Sequence, residues 1–521
     1  MSAGDAVRVD GRSLSLEDVE RVARGGGVET RLPPGVRARM EESRAAVEEV
    51  AAGDRAVYGV NTGFGKLSDV RISRERRRRL QLNLVRSHAC GVGEPLDEAC
   101  TRALVLLRTN VLAGGHSGVR PEVAELLLSL LDRGVVPVVP RAGSVGASGD
   151  LAPAAHVALV LVGEGKAVVE GRTLPGDRAL REAGLEPLEL RAKEGLALLN
   201  GTQGMTALGA LALLRAEALL DVAELAGAMS LEGLRGTPEP FDEVVQRLRA
   251  HPGQEESARR LRGLLADSEI RESHRTGDPR VQDAYSLRCM PQVHGAARDT
   301  IGFVRRALEV EVNAATDNPL VVPDGEGTVR ILSNGNFHGQ PVAVALDHLA
   351  TALASVAAIS ERRIDRLLNP DLSGLPAFLT SEPGLRSGMM MTQVTAASQV
   401  AEARHLATPA SAGSLPTGAG KEDHVSMGMH AAEQAAGVVA CLERVLAVEL
   451  LAGAQAVEFL SPLAPGRGVA EGLSVVREAV PRLEEDRPLA PDIRTVVGLL
   501  RADRLRDVVE RAAAAGRRTA G

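Results

Sequence analysis

A chain of 521 residues is long enough to bury a large core and to divide into two or more packed units. Its 61 Lys and Arg against 68 Asp and Glu leave a formal charge of -7, which excludes a dominant polyanion-binding surface and, with it, nucleic acid as a partner. The four cysteines, Cys90, Cys100, Cys289 and Cys441, show no CxxC or finger spacing, so neither a disulfide framework nor a zinc site is implied, and a reducing cytoplasm fits best.

Near the N-terminus, Asp5, Arg8, Asp10, Arg12, Glu17 and Asp18 interrupt any apolar core that a secretory signal needs. Tyr58 opens a turn-rich loop running to Gly65; its likeness to a P-loop fails, because the spacing is one residue too long and Leu67 stands where Ser or Thr is required. The basic run Arg74 to Arg79 reads as a solvated helix face. A helix is predicted from Pro121 to Arg133, with proline in its first turn and Gly134 as its stop. The following Val135 to Pro140 must be extended, since its prolines cannot continue a helix. It leads into a glycine-rich loop, Gly143 to Asp150, after which Asp150 is placed to cap a helix over Leu151 to Val162.

Two β-hairpins are predicted, turning at Glu170–Gly171 and at Asp324–Gly325. The segments 201–230, 340–368 and 428–457 read as long, almost wholly apolar helices, which need burial on most sides and imply a bundle or a large subunit interface. Apolar stretches such as Leu151 to Val162 fall short of the roughly 20 residues of a membrane span, so no membrane partner is expected. The composition shift near residue 200 predicts a mainly α protein: a smaller N-terminal domain, residues 1–199, and a long-helix bundle, residues 200–521.

Chemistry is concentrated in few residues. The chain has only two tyrosines, Tyr58 and Tyr285, and Tyr58 in its glycine loop suits proton transfer or lid closure. Its eleven histidines show no ligand spacing; His116, His348 and His405 read as structural or surface residues, and no metal is expected.

The run Gly146–Ala147–Ser148–Gly149–Asp150–Leu151–Ala152–Pro153 resembles the signature of the aromatic amino acid ammonia-lyases, which cyclise Ala-Ser-Gly into a methylidene-imidazolone. Further segments match in the family's order: the Tyr58 loop, Asn83 to His88, Leu199 to Gly204, Gln282 to Arg288, Gly335 to His338, and Glu422 to Met427. The resemblance covers residues 58 to about 430. It implies a fumarase/aspartase-like helical architecture assembled as a homotetramer with shared active sites, which suits helices too apolar for a monomer's surface.

The resemblance also implies an autocatalytic group made from Ala147, Ser148 and Gly149, with no diffusible cofactor. The Gly149 nitrogen attacks the Ala147 carbonyl, Ser148 loses water, and the resulting electrophile captures the substrate amine. Glycine at 149 leaves that attack open. Arg288 is then expected to clamp the substrate carboxylate, with Asn200 in support, Gln282 and Tyr285 completing the polar wall and Phe337 packing against the group or the substrate ring. Tyr58 is the first choice for the base that removes the β-proton, with Glu422 a serious competitor.

His88 and Glu422 point to an imidazole side chain, and so to L-histidine as substrate, because they can hydrogen-bond an imidazole and have nothing to offer a phenyl ring. Lys421 departs from the amide common among relatives and bears on substrate preference. An aminomutase or a tyrosine or phenylalanine ammonia-lyase of the same family, and a non-catalytic helical tetramer, are the competing readings.

Overall fold

The computed structural model describes residues 6–25, 27–53, 56–278, 280–323 and 329–518. Helices dominate, and the strands form short pairs and one three-stranded sheet. The chain divides into two compact units, the first made of Met1–Ala212, Arg305–Asp347 and Pro409–Glu433, the second of Leu213–Val304, His348–Thr408 and Gln434–Gly521.

The first unit is built around the helix Glu98–Ala113, which begins where the Asp97 carboxylate accepts a 2.7 Å bond from the Cys100 amide. Leu104, Leu106, Leu107 and Leu112 are buried on several sides of this helix, and it packs against Leu16–Arg24 and Pro121–Asp132. The helix expected from Pro121 ends at Asp132, and Gly134 turns the chain with φ 67. Val136–Pro137 then pairs antiparallel with Lys166–Val169, and Pro140–Ala142 pairs with Val92–Pro95. Both pairings are brief because proline has no N–H to donate to a ladder. The loop that follows is thus tethered to a strand at one end and to the helix Leu151–Leu161 at the other.

The hairpin of Lys166–Val169 and Arg172–Pro175 closes through Glu170 and Gly171, both at positive φ (48 and 74), as a type I′ turn requires. The second hairpin pairs Leu320–Pro323 with Val329–Leu332; its turn at Asp324–Gly325 lies outside the described residues. One local expectation is overturned. Asp150 stands at the N-cap position of the helix after it, but its side chain makes no cap bond, because the buried carboxylate accepts instead from the Met205 amide and the Ser144 hydroxyl, both at 2.7 Å.

The long helices run Gln203–Gly233, Gln340–Leu368 and Gly428–Glu458, within a few residues of the ranges read from apolar periodicity. Gln340–Leu368 corrects the expectation that apolar stretches fall short of a span: it is long and apolar enough to cross a bilayer. However, 61% of its most apolar window is buried within protein, as in the core helix of a globular unit. In the second unit, its Arg363 meets Glu449 at 2.5 Å with both side chains fully buried, and the Ser230 hydroxyl donates to the same carboxylate at 2.7 Å. Such a pair is costly to break by removing one partner.

Candidate active site

The loop Gly143 to Asp150 is held from inside and outside. The Ser144 hydroxyl donates to Asp150 and accepts from the Gly146 amide at 3.1 Å, closing the loop on itself. From the 409–433 segment, the Met427 amide donates to the Val145 carbonyl at 2.8 Å and the Ser426 hydroxyl to the Gly146 carbonyl at 3.0 Å. The turn Asn200–Gly201 grips the other side: Asn200 Nδ2 donates to the Ser148 carbonyl at 2.8 Å, and the Asp150 amide to the Gly201 carbonyl at 2.7 Å. Gly149 has φ 72, and a Cβ there would collide with the Gly201 backbone, so only glycine fits this approach.

Behind Gly201 stands Arg108, wholly buried, donating to the Asn200 carbonyl at 2.9 Å, to that of Ala197 at 3.2 Å and to the Gln203 side chain. Burial pushes its guanidinium down to about 10, against the pull of Asp317 and Asp150. Sequence reading passed over this residue. Its signal was a charge directly after the apolar stretch Ala103 to Leu107, within a helix whose residues from Ala103 to Ala113 are all buried.

Glu422 joins this loop from the 409–433 segment. The Ser148 hydroxyl donates to its Oε1 at 2.9 Å, and the Thr417 hydroxyl to its Oε2 at 2.6 Å. Burial, followed by the negative charges of Glu422 and Asp317, pushes the half-buried Tyr58 phenol above its ordinary value, against a hydrogen bond from the Gly65 backbone. His88 ends the helix Arg77–His88, with Nδ1 3.1 Å from the Ser87 hydroxyl. Burial holds this imidazole below its ordinary value, while a backbone bond with Leu84 and the Glu422 charge pull the other way. Phe337 is half-buried in the turn before Gln340–Leu368. The next residue, His338, stacks on His424 with ring centroids 5.9 Å apart and places Nε2 3.1 Å from the His424 carbonyl.

The residues present fit the group that the loop resembles. Ser148 is held at both its carbonyl and its hydroxyl, Gly149 has no Cβ to block the approach of its nitrogen, and the buried Asn200 Oδ1 has no hydrogen-bond partner. Among the described residues, no group of three or more His, Cys, Asp or Glu is arranged to hold a metal ion.

The first unit therefore brings together Ser148, Asn200 and Glu422 by direct contact, with Tyr58 and His88 within electrostatic reach of Glu422. Gln282, Tyr285 and Arg288 belong to the second unit. There Asp283 accepts from the Thr237 amide at 2.6 Å, and Arg363 donates to the Ser286 carbonyl at 3.3 Å, so the short helix Tyr285–Arg288 is anchored just before its start and at its second residue. The Arg288 guanidinium lies 4.6 Å from the Tyr285 ring centroid, and its buried Nε has no partner.

The architecture is the mainly helical, fumarase/aspartase-like one. Within it, the model of the aromatic amino acid lyases matches residues 14–478, and the chain belongs to that family. It is 54% identical to a histidine ammonia-lyase of Myxococcus xanthus, over 98% of this chain and 99% of that one. Among solved structures, a histidine ammonia-lyase from Trypanosoma cruzi is 42% identical with a TM-score of 0.90, covering 97% of this chain and 95% of that one. A tyrosine aminomutase from Streptomyces globisporus is 40% identical with a TM-score of 0.90, covering 97% and 98%.

Proposed function

We propose that the protein is a histidine ammonia-lyase, which eliminates ammonia from L-histidine to leave trans-urocanate. The observation that carries this reading is the convergence on Glu422: the Ser148 hydroxyl touches it, and its charge is felt at both Tyr58 and His88. The methylidene-imidazolone formed from Ala147, Ser148 and Gly149 would supply the electrophile that turns the substrate's amine into a leaving group.

The chain's own residues do the rest. His88, held neutral by burial and bonded to the Leu84 backbone through one ring nitrogen, can hydrogen-bond a substrate imidazole through the other. Tyr58 keeps its proton at neutral pH, because burial and two nearby carboxylates disfavour the phenolate. Glu422 is therefore the better acceptor for the β-proton, with Tyr58 as the group that holds and returns a proton nearby. Asn200 steadies the Ser148 carbonyl. Arg288, Tyr285 and Gln282 enter by their motif, with Arg288 binding the substrate carboxylate as a two-pronged donor.

A homotetramer suits this reading, since Tyr285 is 70% exposed and Met391, Val394, Leu385 and Leu415 also lie open to solvent in the single chain. Four free cysteines accord with the cytoplasm. The aminomutase neighbour keeps a second outcome in the test. L-histidine and L-tyrosine are each supplied, and ammonia, the unsaturated acid and the β-amino acid are measured. Urocanate with equimolar ammonia from histidine is expected. Formation of β-amino acid without ammonia, or turnover of tyrosine alone, would overturn the reading.

A further inference from the structure

We infer that Thr417 is a positioning residue that keeps Glu422 aimed at the substrate once Ser148 has lost its hydroxyl. The inference rests on the role of Glu422 proposed above. In the unprocessed chain both carboxylate oxygens of Glu422 are engaged, Oε1 by Ser148 at 2.9 Å and Oε2 by Thr417 at 2.6 Å. Dehydration of Ser148, the step that accompanies closure of the ring by the Gly149 nitrogen on the Ala147 carbonyl, removes the Ser148 oxygen as water, which releases Oε1. The Thr417 hydroxyl is the donor that remains.

The backbone is shaped to keep it there. Thr417 and Glu422 pair as an isolated antiparallel bridge, the Thr417 amide donating to the Glu422 carbonyl at 2.8 Å. The chain returns between them through three successive left-handed residues, Gly418, Ala419 and Gly420, with φ 57, 53 and 80. An alanine in that conformation is strained and persists only where its surroundings demand it. A Cβ on Gly418 would stand 3.0 Å from Glu422 Oε2, so the turn is drawn close against the carboxylate. The turn therefore orients one side chain by a hydroxyl on one oxygen and by the backbone beneath it.

Tyr58 and His88 are the titratable groups coupled to Glu422 across the site, and Lys421, Asp423 and His424 flank it in the chain. The test compares Thr417→Val, Thr417→Ser and Glu422→Gln. Intact mass first establishes that each has shed two waters, and kcat and KM for L-histidine are then measured across pH. Thr417→Val is expected to form the ring fully and to lose about 10- to 100-fold in kcat with KM little changed. Thr417→Ser should restore kcat, and Thr417→Ala serves in place of valine where the branched methyl disturbs the turn.

A Thr417→Val enzyme with wild-type kcat overturns the inference. So does one lacking the two-water deficit, because Thr417 would then serve ring formation. A fully active Glu422→Gln enzyme would strike instead at the proposed role of Glu422.

Discussion

Asn200 donates through Nδ2 to the Ser148 carbonyl at 2.8 Å while its own buried Oδ1 finds no partner. A buried amide oxygen left unsatisfied costs free energy, and such atoms gather where a ligand completes the bonding. Asn200→Ala should keep the fold, since Arg108 and Gln203 still brace the turn from behind. It should lower kcat for L-histidine by about 100- to 1,000-fold, the usual effect of removing one fixed donor from a site of developing charge. Steady-state absorbance of the product, with circular dichroism as a check on folding, measures this. Loss of less than about tenfold would remove Asn200 from the site.

With the loop cyclised as proposed, the mature protein should be lighter than its translated sequence by two waters. Ser148→Ala removes the source of one water and of the methylidene while changing one oxygen. It should assemble normally, show no serine dehydration by intact mass and lose nearly all turnover. Substantial turnover by Ser148→Ala would refute the electrophile.

How much of this was legible in the sequence depends on range. The helix starting at Pro121, the turn at Glu170–Gly171 and the three long helices follow from local rules: proline at a first turn, positive φ at a two-residue turn, and a continuous apolar run. The motif order gave Ser148, Asn200 and Glu422, which do meet. Asp150 shows why the rest was hidden. Its place before a helix suggests a cap, but two donors distant or opposed in the chain, Met205 N–H and Ser144 O–H, outcompete the helix amides for a buried carboxylate. Arg108 was missed for the same reason, since it acts on a carbonyl that only tertiary folding brings near, whereas Thr417 was missed because its bond to Glu422 depends on a left-handed turn over Gly418, Ala419 and Gly420.

In the first unit, Lys193 and Asp317 form an ion pair at 2.7 Å with both side chains fully buried. Burial pulls the Lys193 ammonium below its ordinary range and Asp317 pulls it back. Lys193→Met leaves a buried carboxylate without its cation and should cost about 3–5 kcal/mol, while Lys193→Met with Asp317→Leu should recover most of that loss. Chemical denaturation midpoints of the two variants settle the matter. A double variant no more stable than the single one would mean that the pair is not the source of the cost.

His294 in the second unit is fully buried with neither ring nitrogen hydrogen-bonded, and burial, then Arg363 and Arg298, hold it well below its ordinary value of 6.5. Above that value both folded and unfolded chains carry a neutral ring, and His294 adds no pH dependence. Below it the unfolded chain takes up a proton that the folded chain refuses, so stability falls by up to about 1.4 kcal/mol per pH unit. His294→Leu should flatten the stability profile on going from about pH 7 to about pH 5, as read from urea midpoints along that range. Parallel profiles for variant and wild type would show that other groups carry the acid sensitivity.

Specificity turns on whether His88 meets the substrate ring or only fills space. It stands at the end of its helix, half-buried, with Nδ1 engaged near Ser87 and the ring kept neutral by burial. With one ring nitrogen engaged by the Leu84 backbone, the other nitrogen of the neutral ring can accept from the N–H of a substrate imidazole. His88→Phe removes that partner and supplies an apolar wall of similar breadth. A lost buried hydrogen bond is worth about 1–3 kcal/mol, or roughly 5- to 150-fold in kcat/KM. The variant should lose that factor toward histidine while activity toward phenylalanine or tyrosine holds or rises, because discrimination is a difference between two substrates and only one has lost a contact. The measurement is kcat/KM for the three amino acids in wild type and variant, with intact mass confirming that both have shed two waters. An equal loss toward all three would mean that His88 supports the site as a whole, and the preference for histidine would then have to come from Glu422.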